Sequence, residues 1–104
     1  MAKKIPYRVT PYHLEIRSLH SVRLLLREPI SVLVEEDEEQ VIAYAPDLEI
    51  FGEGDDLGEA LEDLRESIIE LYHDLAGHVG RLGNDLEKVW QYLSMAIEVL
   101  PGSQ

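Results

Sequence analysis

The spacing of apolar residues changes once along this chain, near residue 55. Before that point the pattern is that of strands. In YHLEI (12–16), Tyr12, Leu14 and Ile16 alternate with polar positions, which predicts a half-buried strand. SVRLLLR (21–27) is apolar with bases at its flanks and predicts a second strand, a short helix being the alternative. Glu28-Pro29 breaks that run. ISVLV (30–34), the acidic run EEDEE (35–39) and QVIAYA (40–45) together predict a hairpin with an acidic tip. Pro46-Asp47 ends this strand, and LEIF (48–51) predicts one more before Gly52 and Gly54. Residues 1–11, with Pro6 and Pro11, read as an N-terminal arm without strong periodicity, so the sheet is expected within 12–53.

After residue 55 the period becomes helical. Leu57, Ala60, Leu61, Leu64, Ile68, Leu71, Tyr72 and Leu75 recur at i, i+3, i+4 and i+7 and predict an amphipathic core helix over 56–76. Asp56 followed three residues later by Glu59 is a capping-box-like start. Glu59, Glu62, Asp63, Glu66, Glu70 and Asp74 centre on the side opposite the apolar stripe. Glycines at 77, 80 and 83 end this helix. Asn84 with Glu87 opens a second one, expected over 84–100 and closed by Pro101-Gly102. Its main stripe is Leu86, Val89, Trp90, Leu93, Ile97 and Leu100, while Tyr92, Met95 and Val99 lie on its back. A helix apolar most of the way round is buried on more than one side. In so short a chain the expected cover is a second copy, with Trp90, Tyr92, Met95 and Val99 as the oligomer contact.

The whole pattern gives one α+β domain: a mostly antiparallel sheet of about four or five strands, packed by one amphipathic helix, plus a C-terminal helix. At 104 residues the chain can bury a core of its own. It has no cysteine, which excludes disulfides, thiolate catalysis and thiolate metal sites and fits a reducing compartment. No signal-peptide pattern and no membrane-length apolar run occurs, so a cytoplasmic location without membrane association is expected.

Charge sharpens the picture. The net value is −12 and it is unevenly spread. Residues 1–27 hold Lys3, Lys4, Arg8, Arg17, Arg23 and Arg27 against Glu15, whereas the rest of the chain has three bases and twenty acids. Such a field repels nucleic acid and anionic membrane and attracts a cationic partner, while on composition alone plain solubility is the better-favoured reading.

The stretch QVIAYAPDL followed by GEGDDLGEALEDLRESI resembles the HicB family of antitoxin-like domains. That family's pattern is an acidic hairpin tip, a strand ending in A-x-x-P-D-L, a short loop, then G-D-T-x-x-E-A-L and a helix. Ala43, Pro46, Asp47, Leu48, Gly54, Asp55, Glu59, Ala60 and Leu61 match it, and Asp56 replaces the Thr with another good N-cap. The likeness covers residues 30–76. Glu49-Ile50-Phe51 replaces the usual Pro-Gly pair and the residue after it, and residues 1–29 have no counterpart. The resemblance implies a partly RNase H-like α+β fold and a role in masking a small basic RNA-cleaving toxin. Family members usually carry a DNA-binding segment after this domain. The single C-terminal helix here, with Lys88 as its base, does not match one, so operator binding is not implied.

Within these bounds the best partner-binding candidate is the acidic column Glu59, Glu62, Asp63, Glu66, Glu70 and Asp74. Its members form like-charge i,i+4 pairs, each costing about 0.2–0.5 kcal/mol in an isolated helix. A cationic partner relieves that cost; a simply solvated face is the competing reading. EEDEE (35–39) reads as a solvated turn, since no second acidic cluster is placed to share a metal with it. Glu70-Leu-Tyr-His73 has the Glu-x-x-His spacing of di-metal helices but lacks a second copy within the chain. His13, His20 and His78 lack ligand spacing to one another, and GEGDD lacks the lysine of a phosphate loop. The basic N-terminal region, with Tyr7 and Tyr12 as stacking groups, suits RNA or DNA less well than intramolecular or intersubunit pairing of a basic strand with an acidic surface.

The expectation is therefore a non-enzymatic HicB-like interaction protein, without cofactor or metal, that binds a small basic toxin antitoxin-fashion through its acidic surface. The alternative is a stand-alone homo-oligomer with a housekeeping or ligand-sensing role. An RNase H-like or di-metal enzyme is the remote third.

Overall fold

The computed structural model describes residues 11–101. The arm expected over 1–11 therefore lies almost wholly outside the described residues. The described chain is a small α+β domain. Its elements are β1 (Tyr12–Ile16), β2 (Leu24–Leu26), β3 (Ile30–Glu36), β4 (Val41–Ala45), β5 (Ile50–Gly54), α1 (Leu57–Ala76), α2 (Asn84–Ala96) and β6 (Ile97–Val99). The main sheet is antiparallel with order β1-β3-β4-β5, and β2 pairs with β6 in a separate two-stranded ribbon.

Side-chain alternation sets the inner face of the main sheet. Ile16 of β1, Ile30, Val32 and Val34 of β3, and Val41, Ala43 and Ala45 of β4 are all buried. Against them α1 places Ala60, Leu64, Ile68 and Leu75, the stripe its periodicity predicts. Among the described residues no polar or charged residue is buried. The hydrophobic effect therefore holds the helix on the sheet, at about 1.5–3 kcal/mol for each large side chain fully buried.

Two glycines fix how closely α1 approaches. A Cβ on Gly52 would lie 2.3 Å from the Leu64 nitrogen and 2.5 Å from the Ala60 carbonyl oxygen. One on Gly54 would lie 2.4 Å from the Glu59 Cβ. Strand β5 and the first half of α1 thus touch backbone to backbone, which only glycine permits.

The turns explain where strands begin and end. At the acidic tip, Asp37 Oδ1 accepts from the Glu39 and Gln40 backbone nitrogens at 2.7 and 3.0 Å, an Asx-type turn. After β4, the Leu48 and Glu49 nitrogens both donate to the Ala45 carbonyl. Glu49 closes that turn with φ of 58°, in the left-handed region. Helix α1 starts as expected: Asp56 is its N-cap and accepts from the Glu59 nitrogen at 2.8 Å.

Four expectations are corrected. The strand expected over 48–51 is Ile50–Gly54, because Leu48 and Glu49 are consumed by the turn. The strand expected over 21–27 shrinks to Leu24–Leu26 and leaves the main sheet. The helix expected over 84–100 stops at Ala96, where Ile97 turns extended and pairs with Leu26. The β-branched Ile97 and Val99 suit that strand, and the Leu100 nitrogen and Ala96 carbonyl extend the pairing to Arg23 and Arg27. The N-cap of α2 is Gly83 rather than Asn84, and it makes no side-chain capping bond.

Candidate functional site

The acidic column of α1 divides into two halves. In the N-terminal half the carboxylates are engaged by the fold. Glu59 Oε1 accepts from the Asp55 backbone nitrogen at 2.8 Å. Asp63 Oδ2 accepts from the Glu53 nitrogen at 2.9 Å, satisfying a donor on the free edge of β5. Glu62 contacts His20 Nδ1 and receives Arg65 Nη1 at 3.0 Å, while Arg65 Nε donates to the Ser18 carbonyl at 2.9 Å. These contacts tie the segment after β1 to the helix. His20 is held there with φ of 55°, its nitrogen donating to Ser18 Oγ.

In the C-terminal half, Glu66 and Glu70 are exposed and have no ion pair or side-chain hydrogen bond among the described residues. Asp74 is exposed, with its carboxylate 3.8 Å from His78 Nδ1, a ring nitrogen that sits closer to the Asp74 carbonyl at 2.8 Å. Glu70 and Asp74 also lie toward the negative end of the helix dipole. The six candidate acids are thus a structural set, Glu59, Glu62 and Asp63, an uncommitted pair, Glu66 and Glu70, and Asp74, which has His78 beside it.

The expected oligomer contact divides likewise. Trp90 is partly buried, with its ring 5.3 Å from that of Tyr72 on α1. Tyr92 is also partly buried against the core. Its burial, followed by the charges of Asp47 and Glu28, raises its phenol pKa above the ordinary 10.0. These two residues are partly covered by their own chain. Met95 (67 % exposed) and Val99 (50 %) remain open, and Val99 lies on β6 rather than on the back of a helix.

Two surfaces of the structure have no counterpart among the candidates the sequence offers. The first is a cleft of about 530 Å³ where the turn at 46–50 meets Leu71 of α1 and Asp85, Leu86, Lys88 and Val89 of α2. It sets the acids Asp47, Glu49 and Asp85 against one cation, Lys88. The second is the face of the main sheet that α1 does not cover. Strand register aligns His13, Leu33, Tyr44 and Phe51 in one row, and Glu35, Ile42 and Glu53 in the next. Leu33, Tyr44 and Phe51 are 38, 37 and 53 % exposed and line a shallow depression of about 180 Å³ with Ile42 and Glu35. The signal for this face is that ISVLV and QVIAYA are apolar at successive positions, as strands flanked on both sides are.

At the start of β1, the Tyr12 hydroxyl donates to Glu36 Oε2. That hydrogen bond, followed by burial and the Glu36 charge, raises the Tyr12 phenol pKa above its ordinary 10.0. Among the described residues no group of three or more His, Asp or Glu side chains is arranged to hold a metal ion. No helix among them is long and apolar enough to cross a membrane. Lys3, Lys4, Tyr7 and Arg8 lie outside the described residues. No family model, curated protein or solved structure matches the chain.

Proposed function

We propose that this chain is a non-enzymatic, HicB-like interaction protein that binds a small basic protein through the acidic face of α1, in the manner of an antitoxin. The observation that carries this reading is the division of the acidic column. Carboxylates near the sheet and the 17–20 segment are used to hold the fold, whereas Glu66 and Glu70 repel their i,i+4 neighbours and have no partner among the described residues. Each such repulsion costs about 0.2–0.5 kcal/mol in an isolated helix, and a cationic partner relieves it on binding. The surrounding negative field also speeds the encounter of a basic protein.

The test is capture of partners on the tagged chain from its native host at low and high salt, with nuclease treatment. A small basic protein in stoichiometric amount, lost at high salt, is the expected result. A second reading, a stand-alone homo-oligomer, is favoured by the exposure of Leu25, Met95 and Val99 on and beside the β2–β6 ribbon. Recovery of untagged copies of the chain alone supports that reading and removes the first.

A further inference from the structure

The open face of the main sheet combines two properties that together specify its occupant. Leu33, Ile42, Tyr44 and Phe51 form a contiguous apolar group across three adjacent strands. Glu35 and Glu53 flank Ile42 two strands apart, about 10 Å by the usual strand spacing. Neither carboxylate has an ion pair or accepts a side-chain hydrogen bond among the described residues. Face-to-face packing of two copies would oppose these glutamates to one another, so charge disfavours a second copy. The occupant must bring apolar side chains and cations together.

One segment of this chain has that composition and leads directly into the described chain at Pro11, next to β1. Residues 3–9 supply Lys3, Lys4 and Arg8 together with Ile5, Tyr7 and Val9 and contain no acid. Tyr12 pairs with Val34, so the chain enters β1 from the end of the sheet where Glu35 lies. Crossing from β1 to β5 covers three strand spacings, about 14 Å. Residues 4–10 extended reach about 23 Å at 3.3 Å per residue, enough to cross within one molecule. The long Lys and Arg stems can lie along apolar surface while their charges reach the glutamates at the rim.

We infer that the basic segment 3–9 docks in cis across the open sheet face, with its apolar residues on Leu33, Ile42, Tyr44 and Phe51 and its cations at Glu35 and Glu53. This contact is independent of the partner proposed for α1.

The absence of cysteine makes the test direct. Ala2→Cys in the full chain carries a nitroxide label and leaves all three cations in place. Paramagnetic broadening is then read on isotope-labelled protein at low concentration. The expected result is broadening at Ile42, Tyr44 and Phe51, lost at 1 M salt, where the Debye length falls to about 3 Å. It is also lost in a Glu35→Gln/Glu53→Gln variant whose other signals are unchanged. Broadening along Glu66 and Glu70 instead, or none on the sheet face of the folded protein, would overturn the inference. So would broadening that passes between molecules in a mixed sample of spin-labelled and isotope-labelled chains, which would replace docking in cis by exchange between copies.

Discussion

Replacing Gly52 by alanine adds one methyl group where β5 meets α1, and the geometry leaves it no room. Its Cβ would stand 2.3 Å from the Leu64 nitrogen, 2.5 Å from the Ala60 oxygen and 2.7 Å from the Leu64 Cα. Ordinary contact begins near 3.4 Å, so the surfaces must part by about 1 Å. Every obstructing atom belongs to the backbone of a regular helix, so no side chain can swing aside. Moving α1 loosens Ala60, Leu64 and Ile68, all fully buried. Overpacking a core costs about 1–3 kcal/mol and occasionally more, and this site belongs at the upper end, about 3 kcal/mol. For a domain of this size that corresponds to a fall in Tm of about 12–24 °C. The matched control is Gly58→Ala in the first turn of α1, where the nearest atom is Asp56 Oδ1 at 3.4 Å. There alanine gains about 0.5–1 kcal/mol through helix propensity and reduced unfolded-state freedom. Thermal and urea unfolding followed by circular dichroism reads both. A Gly52→Ala protein within 0.5 kcal/mol of the parent would refute the close-approach argument.

Further outcomes follow from other particular residues. Glu49→Gly relieves a left-handed residue and should raise stability by about 1 kcal/mol, seen as a higher urea midpoint at constant slope. Ile97→Ala should cost about 2–4 kcal/mol, since Ile97 is buried beside the β2–β6 pairing; a loss below 0.5 kcal/mol would contradict its burial there. The Tyr12 phenolate should form above pH 10 in an ultraviolet titration, and Glu36→Gln should lower its midpoint. A raised phenol pKa means that the fold favours the neutral form. The contributions of Tyr12 and Tyr92 are therefore whole below pH 10 and lost as pH rises through their folded-state values.

Helix α1 was legible because three local signals agree on it: the 3.6-residue stripe, the Asp56 cap and the glycines beyond. The β3–β4 hairpin was legible for the same reason, with apolar runs on either side of an Asx-type turn. The end of α2 was not. Ile97 and Leu100 continue its helical stripe, and only the availability of Leu24–Leu26 as a partner makes that stretch a strand. Such pairing spans more than seventy residues, and the β-branched Ile97 and Val99 are too weak a local trace to outweigh the helical stripe. The β5 boundary was missed because Glu49, rather than a glycine, takes the left-handed position that ends the turn. The sequence placed all six candidate acids on α1, where the structure has them. It could not say that Asp63 meets the free edge of β5 or that Glu62 meets His20, since both depend on tertiary placement. The apolar sheet face left a signal in the successive apolar positions of ISVLV and QVIAYA, but those runs do not say what covers the outer residues.

The claim that the uncommitted pair of the acidic column binds a basic protein is tested most directly by charge reversal. Wild-type chain and a Glu66→Lys/Glu70→Lys variant, shown to be equally folded by circular dichroism, serve as parallel baits in the native host's lysate at low salt. The account predicts that wild type retains a small basic protein in stoichiometric amount and that the variant loses it. Equal recovery by both baits would contradict the account.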